Sequence, residues 1–297
     1  MRSTSRRTTT VLALVVAAAA TAAFAAGCGS SSSSTTTSSP ATLSLKIAEK
    51  GQAASFQAPK SAPGGLVTVN LANQGKAPHG VEFIQYTGGH SEADVLKQLG
   101  SNSNKIPSWI KLQGGIGSVP GGQTATADVN LPSGGYVLAD AAAFSGPSGG
   151  GPPATAPLKV TTGTAGSLPA TPATVTAANP AKDKYKWQIS GLKTGNNTVT
   201  FNSKGKEAVH LIFAVPVKGK APPLSQIKTD LASHGPPPPY VDAKNAQSTA
   251  ILDGGTSQTT SLDLKKPGKY IFFCPLSDRD GGKPHFEEGL LKVQNIH

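Results

Sequence analysis

The stretch Gly195–Phe213, GNNTVTFNSKGKEAVHLIF, decides the fold because the chain contains a second version of it. Gly65–Phe83 reads GLVTVNLANQGKAPHGVEF, with the same opening glycine, alternating apolar residues, Gly-Lys turn and late histidine. Alternating apolar and polar residues bounded by Gly, Asn and Pro predict short β-strands. The chain is therefore predicted to hold two copies of one β-rich unit.

Each copy continues with further matching segments. A short helix is predicted at Ser91–Gly100, which starts with a Ser-x-x-Asp capping box, and at Pro223–Gly235, where apolar residues recur at helical spacing. Strand-like segments follow at Thr124–Asp140 and Thr256–Cys274, and each copy closes on a short strand, APLKV or GLLKV. Short strands with one small helix per copy favour an antiparallel β-sandwich over an α/β fold.

Residues 1–27 have the pattern of a secretory signal peptide. Three arginines precede the apolar stretch VLALVVAAAATAAFAA, which is too short and too rich in alanine for a membrane span. The segment AAGC, ending at Cys28, is similar to a bacterial lipobox, which implies cleavage before Cys28 and lipid attached to it. Residues 28–40 are rich in Ser and Thr and suit a flexible tether. We expect an exported lipoprotein on the outer face of a bacterial cell membrane; an ordinary signal peptide with a chance cysteine is the alternative.

The part of the chain after the tether is long enough for two domains. Ala41 to His297 comprises 257 residues, against roughly 100–150 for an ordinary domain. The small-residue stretch Thr161–Ala173 separates the two copies. We therefore predict one domain over residues 41–163 and a second over residues 168–297.

The charge balance is basic and scattered. The chain has 27 Lys and Arg against 16 Asp and Glu, a formal charge of +11. Removal of the three signal arginines leaves 24 against 16, or +8, almost entirely from lysine. No basic run with interleaved aromatic residues occurs, so binding to nucleic acid is not supported. The lysines suit solubility or attraction to acidic lipids and partners.

Cys274 has no partner for an intramolecular disulfide once Cys28 carries lipid, because the chain contains two cysteines. An unpaired cysteine in an exported protein indicates a metal ligand, a reactive thiol or an intermolecular bond. The simpler alternative is a buried cysteine that acts as a small hydrophobic residue. A nucleophile with a histidine base is a further alternative, although no oxyanion motif accompanies it.

The second copy places three ligand-type residues in a recognisable order. His210 starts a strand, Cys274 ends another, and His285 follows that cysteine after ten intervening residues, before a strand near Leu290. This order resembles the cupredoxins, the plastocyanin-like blue copper proteins, with their early histidine and late Cys–loop–His–x4–Met cluster. SDRDGGKPH is also similar to the PDxDGxPH loop of exported cupredoxin-like proteins from bacteria. The resemblance implies an all-β fold with two tandem cupredoxin-like Greek-key β-sandwich domains, each with a short helix.

The same resemblance implies one copper ion, held in the second domain by His210, Cys274 and His285. Two imidazoles and a thiolate are the ligands of blue copper sites. The family's weak axial methionine has no counterpart, because Met1 is the sole methionine and Leu290 stands at the matching position. We expect a three-coordinate site, or one with a weak backbone carbonyl, and a raised reduction potential. We also expect the edge of His285 to lie near the surface as the electron port.

The first copy is predicted to have lost this site. Alignment of GGYVLAD with GKYIFFC places Asp140 opposite Cys274, and Pro152 falls opposite His285. His79 remains, one residue off in spacing, and a lone histidine is more often a hydrogen-bonded structural residue than a ligand. The first copy is expected to serve as a spacer or partner surface.

Electron transfer or copper handling is therefore the predicted role, with no enzymatic activity and with a possible redox partner protein. A metal-free cupredoxin-fold module for interaction in the cell envelope is the alternative. Asp278–Gly281 faintly resembles a calcium loop, but the glutamate required at its twelfth position is replaced by Gly289, so a polar turn is favoured. His234 and His90 lie beside predicted helix ends and suit capping or surface positions, although His234 could border the copper site.

Overall fold

The computed structural model of the protein describes most of the chain after the tether. The predicted signal peptide, Cys28 and residues 28–39 lie outside the described residues. The described residues from Pro40 to His297 belong to one compact unit. None of the described helices is long and apolar enough to cross a membrane. The described residues are 40–51, 53–101, 103, 105–145, 153–206, 208–233 and 235–297.

The secondary structure is mostly β with few helices, which confirms the predicted all-β class. The first half contains β1 (Ala41–Lys50), β2 (Ala53–Gln57), β3 (Ser61–Pro63), β4 (Gly65–Asn73), β5 (His79–Tyr86), α1 (Glu92–Leu99), β6 (Ile110–Val119), β7 (Thr124–Leu131), β8 (Gly134–Ala139), α2 (Ala142–Ser145) and β9 (Thr155–Thr161). The second half contains β10 (Ala173–Ala181), β11 (Lys184–Ser190), β12 (Gly195–Ser203), β13 (Val209–His210), β14 (Phe213–Pro216), α3 (Leu224–Ala232), a 3₁₀ turn (Ala243–Asn245), β15 (Gln247–Ser248), β16 (Leu252–Asp253), β17 (Ser257–Leu264), β18 (Gly268–Phe273) and β19 (Leu291–Ile296).

The strand pairings repeat between the halves, as the sequence repeat predicted. In the first half β1 lies between β2 and β4, and β4 pairs with β7. In the second half β10 lies between β11 and β12, and β12 pairs with β17. The pairs β1–β4, β10–β12 and β3–β9 are parallel, so the sheets are mixed, whereas the sequence favoured an antiparallel β-sandwich in each copy. For the first two pairs, two reversals of the chain separate the partners, which therefore run in the same direction.

The halves are joined through two of the sheets. One sheet has the strand order β11-β10-β12-β17-β7-β4-β1-β2. Its two halves meet where β17 pairs with β7, with Thr259 opposite Asp128. A second sheet has the order β13-β16-β6-β5-β8-β9-β3 and passes between halves at Leu252 opposite Gln113. A third, of order β15-β14-β18-β19, belongs to the second half. The second sheet thus ends on the short strand that carries His210.

One predicted strand is divided. The run HLIFAV splits into β13 and β14, which belong to different sheets. At the break, Ile212 exchanges hydrogen bonds with Thr249: its amide donates to Oγ1 at 3.0 Å, and its carbonyl accepts from the Thr249 amide at 3.1 Å. Apolar periodicity alone does not reveal such a break, because Leu211 and Ile212 are buried in either arrangement.

The helices lie where the sequence predicted them, with one addition. The capping box of α1 is present, since Ser91 accepts from the Asp94 amide and the Ser91 amide donates to Asp94 at 2.8 Å. The second helix, α3, ends at Ala232, earlier than predicted, because the Ser233 amide caps the last turn. The short α2 was not predicted; the side chain of Asp140 accepts a hydrogen bond from its first residue, Ala142.

Two hydrophobic cores lie on opposite sides of the predicted boundary, and a third is shared. The first core draws on residues 43–160 and the second on residues 173–296. The third combines residues of both halves, including Ile84 and Leu112 from the first and Val209 and Leu211 from the second. The exact domain limits, residues 41–163 and 168–297, remain predictions.

Candidate metal centre

The structure brings His210, Cys274 and His285 together. His210 ends β13, Cys274 follows β18 directly, and His285 lies in the loop before β19. The two Nδ1 atoms are 3.1 Å apart, and Cys274 Sγ is 3.6 Å from Nδ1 of His285. All three residues are 0% exposed, and their ligand atoms lie within 4.8 Å of one another. Three residues that are distant in sequence thus form one buried candidate site.

Backbone hydrogen bonds fold the loop that carries the last two of these residues. The Cys274 amide donates to the Leu290 carbonyl at 3.1 Å, and the Phe286 amide donates to the Cys274 carbonyl at 2.9 Å. The His285 carbonyl accepts from the Leu290 amide at 2.8 Å. The loop is therefore closed on itself, and His285 returns to the side of Cys274.

The Nε2 atom of each histidine, on the side of the ring away from the other histidine, lies beside an oxygen atom that can only accept a hydrogen bond. Nε2 of His210 lies 3.1 Å from the Lys204 carbonyl, and Nε2 of His285 lies 3.1 Å from the carboxylate of Asp278. Each Nε2 must therefore carry the ring proton, which leaves the Nδ1 lone pair free. Two lone pairs consequently face each other at 3.1 Å in a buried space, an arrangement that a cation between them would stabilise.

Burial sets the protonation states of the three groups. It lowers the pKa of His210 to about 3, with His285 contributing, and it lowers the pKa of His285, although Asp278 opposes that shift. Both rings are therefore neutral near pH 7. Burial also raises the pKa of the Cys274 thiol to about 12, and the backbone amides of Leu211 and Leu276 oppose the rise. The thiol keeps its proton until a cation replaces it.

Tyr185, on β11, covers the two imidazoles. Its ring centroid is 4.4 Å from that of His285 and 5.1 Å from that of His210, and its hydroxyl donates to Asp278 at 2.6 Å. Burial and the bond to Asp278 raise the pKa of this phenol. The expected surface edge of His285 is wrong, because the ring is enclosed and Asp278, with 24% of its side chain exposed, lies between it and solvent.

The other predicted features of this region are placed as follows. Leu290 is fully buried and belongs to the same hydrophobic core as Cys274. Asp278 and Gly281 form a tight turn, with the Gly281 amide donating to the Asp278 carbonyl at 2.8 Å, which agrees with the polar turn rather than a calcium loop. His234 lies outside the described residues. Sequence reasoning missed Tyr185 and the partner role of Asp278, because no motif surrounds Tyr185.

The corresponding place in the first half contains a different set of residues. His79 Nδ1 lies 2.6 Å from the carboxylate of Asp140, and its Nε2 lies 3.0 Å from Glu49. Asp140 also accepts from the Gly80 amide at 2.8 Å. His79 is thus a hydrogen-bonded structural residue, as predicted. Pro152, which the sequence aligned with His285, lies outside the described residues.

Comparison with known proteins gives matches at the level of fold. No protein-family model and no curated protein sequence matches the chain. A solved multicopper oxidase is 13% identical with a TM-score of 0.24, and the match covers 86% of this chain and 88% of that chain. Auracyanin from Roseiflexus castenholzii is 18% identical with a TM-score of 0.27, covering 41% of this chain and 98% of that one. Auracyanin A, a "blue" copper protein from Chloroflexus aurantiacus, is 19% identical with a TM-score of 0.26, covering 40% and 99%.

By name, these neighbours are a multicopper oxidase and two auracyanins. The low identities and TM-scores carry no functional conclusion. The nature of the candidate site therefore rests on its own donor atoms.

Proposed function

We propose that the second half binds one copper ion through His210, Cys274 and His285, and that the protein serves electron transfer or copper handling. The donor set fits copper, because imidazole and thiolate are the ligands of type 1-like sites. The Nδ1–Nδ1 separation of 3.1 Å is shorter than two metal–nitrogen bonds of about 2.0 Å placed end to end. One cation can therefore reach both nitrogens.

The observation that carries this proposal is the pair of facing Nδ1 lone pairs beside a buried thiol. Lys204 and Asp278 hold the Nε2 protons outward, as outer partners do for metal-bound histidines. A purely structural histidine pair would be expected to place a proton between its nitrogens. Here the hydrogen-bond partners keep the ring protons on Nε2, and the Cys274 thiol, a weak donor 3.6 Å from Nδ1 of His285, is the group that faces the inner side.

The residues of the site each have a distinct task. Cys274 would give up its proton to a bound metal ion, and the amides of Leu211 and Leu276 would stabilise the resulting thiolate. Tyr185 excludes water from the imidazole faces. A bound copper ion would supply one-electron exchange between its two oxidation states. Leu290 has no donor atom in its side chain and would leave such an ion without a methionine ligand, which favours a raised reduction potential.

We further propose that the protein is exported and anchored through lipid on Cys28, with the membrane and a redox protein as its partners and without enzymatic activity. The signal-like residues 1–27 and the Ser/Thr-rich tether support this location. The burial of both imidazoles favours copper handling or slow electron exchange over a site with an exposed ring edge.

Copper loading of the purified mature chain tests the proposal. Addition of Cu(II) is expected to produce an intense visible thiolate–copper absorption at one ion per chain. The absorption should vanish in Cys274→Ser and persist in Cys28→Ser, which removes the other cysteine. A chain that stays colourless and takes up no copper under these conditions would contradict the proposal.

A metal-free interaction module is the second candidate, and the first half favours it. There, a histidine and two carboxylates fill the corresponding place by hydrogen bonding alone. If the second half followed the same course, neither Cu(II) nor Cu(I) would change its thermal unfolding. The copper proposal expects a higher unfolding temperature, since a ligand that binds the native state stabilises it.

A further inference from the structure

The strand that carries His210 is held by the first half of the chain. β13 pairs with β16, where His210 lies opposite Leu252, and Leu252 lies opposite Gln113 on β6. β6 is a strand of the first half, so the His210 strand is the outermost strand of a sheet built mainly from that half. The position of one imidazole therefore depends on β6, whose residue Gln113 lies 97 positions earlier in the chain.

The loop that carries His285 is also fixed to the first half, through Arg279. This side chain is 7% exposed and pairs with Asp253 on β16. Its Nη1 donates to the Pro107 carbonyl at 3.1 Å, and its own carbonyl accepts from the Ile106 amide at 2.8 Å. Arg279 is the only arginine after Arg7. Its planar guanidinium, with several donors, can bridge Asp253 and Pro107 at once, which a lysine cannot do.

The hydrophobic packing also connects the segments of both histidines, but not Cys274, with the first half. Val209 and Leu211, on either side of His210, belong to the core shared by both halves. Leu276, on the His285 loop, packs against that shared core as well as against the core of the second half. Cys274 belongs to the core of the second half. The thiol is thus placed by its own half, and the segments bearing the imidazoles rest partly on the other.

We propose that the first half is a positioning scaffold for the metal centre and that Arg279 is a positioning residue within it. This inference rests on the proposed copper function. Arg279 follows Asp278, which holds Nε2 of His285, so its anchorage to Asp253 and Pro107 determines where that carboxylate lies. Mutation of a residue that orients a metal ligand typically lowers metal affinity by roughly 10–100-fold. The first half therefore has a role in the site without holding a ligand.

The test compares Arg279→Gln with Lys283→Gln in the full mature chain. Both changes remove one positive charge from the same loop, but Lys283 is exposed. Copper affinity is measured by competition with a chelator, the site geometry by visible absorption and electron paramagnetic resonance, and the fold by circular dichroism. Arg279→Gln is expected to bind Cu(II) about 10-fold more weakly, with an altered thiolate absorption and an unchanged fold. Lys283→Gln should match the parent protein.

Each outcome has a distinct meaning. A parent chain that takes up no copper overturns the copper function and this inference with it. A parent chain that binds copper, with Arg279→Gln equal to it in affinity and spectra, overturns the positioning role alone. If Arg279→Gln does not fold, Arg279→Lys replaces it, because lysine keeps the charge and loses the bridge. A weaker copper affinity and an altered thiolate absorption in Arg279→Lys support the positioning role. An affinity and spectra equal to those of the parent overturn it.

Discussion

The two halves of this chain build the same strand pairings around two different sets of polar residues. In the first half, His79 lies between Asp140 and Glu49, and each ring nitrogen faces a carboxylate. In the second half, His210 faces His285 beside Cys274. The carboxylate of Asp278 lies on the outer side of the His285 ring, at Nε2. The inner nitrogen of His210 thus faces a second imidazole, whereas the inner nitrogen of His79 faces a carboxylate.

This difference shows how one fold can hold either a closed hydrogen-bonded cluster or an open set of donor atoms. A carboxylate at the position of Asp140 satisfies Nδ1 of its histidine directly. A thiol with a raised pKa at the position of Cys274 does so poorly, since sulfur is a weak hydrogen-bonding group. The inner nitrogens of the second half consequently remain available for a metal ion.

Exchange of the two corresponding residues should have the largest effect. Cys274→Asp copies the first half into the second and should abolish the visible copper absorption completely, because no thiolate remains. The reciprocal Asp140→Cys should not create that absorption, because the described residues place no second histidine beside His79. Absorption spectra after addition of Cu(II) check both. Retention of the band in Cys274→Asp would refute the assignment of the thiolate.

Loss of the carboxylate in the first half should affect stability rather than metal binding. Asp140→Ala leaves His79 and the Gly80 amide without their acceptor in a buried place. We expect a loss of about 3 kcal/mol in the free energy of unfolding, in the range for a broken buried pair. Urea denaturation measures it, with the exposed His90→Ala as the control. Equal stability of the two variants would contradict the structural role of His79.

The outer carboxylate of the second half should matter less than the ligands themselves. Asp278→Ala removes the acceptor of both His285 Nε2 and the Tyr185 hydroxyl. We expect copper affinity to fall by roughly 10–100-fold, as for other partners of metal-bound histidines. Asp280→Ala, an exposed neighbour on the same loop, should bind like the parent. Chelator competition measures both, and equal affinities would mean that Asp278 does not orient the ring.

The protonation states predict a graded effect of pH, which is about tenfold for each pH unit. Below its raised pKa of about 12 the Cys274 thiol carries a proton that the metal must displace, whereas lowered pKa values keep both histidines neutral. Copper affinity should therefore rise about tenfold per pH unit between pH 7 and 9, with one proton released. Affinities measured in buffers of different pH give this slope. A flat profile would show that the thiolate already exists in the metal-free protein.

Much of the fold could be predicted from the sequence, because local patterns determine strands and helix ends. The capping box at Ser91 and Asp94 and the alternating strands around Gly195 needed no tertiary information. The break between β13 and β14 and the parallel pairs could not be predicted, since both depend on which sheet each segment joins. The enclosure of His285 was missed for a related reason: Tyr185 lies 100 positions earlier.

By itself, the sequence determined that the chain holds two β-rich copies and that only the second retains a thiol and two histidines in a metal-ligand order. Tertiary structure decided that the two Nδ1 atoms face each other, that Tyr185 and Asp278 enclose them, and that Arg279 reaches Pro107 across 172 positions. The physical reason is that local patterns act over a few residues. The direction of a lone pair depends instead on the hydrogen-bond partners that distant segments supply.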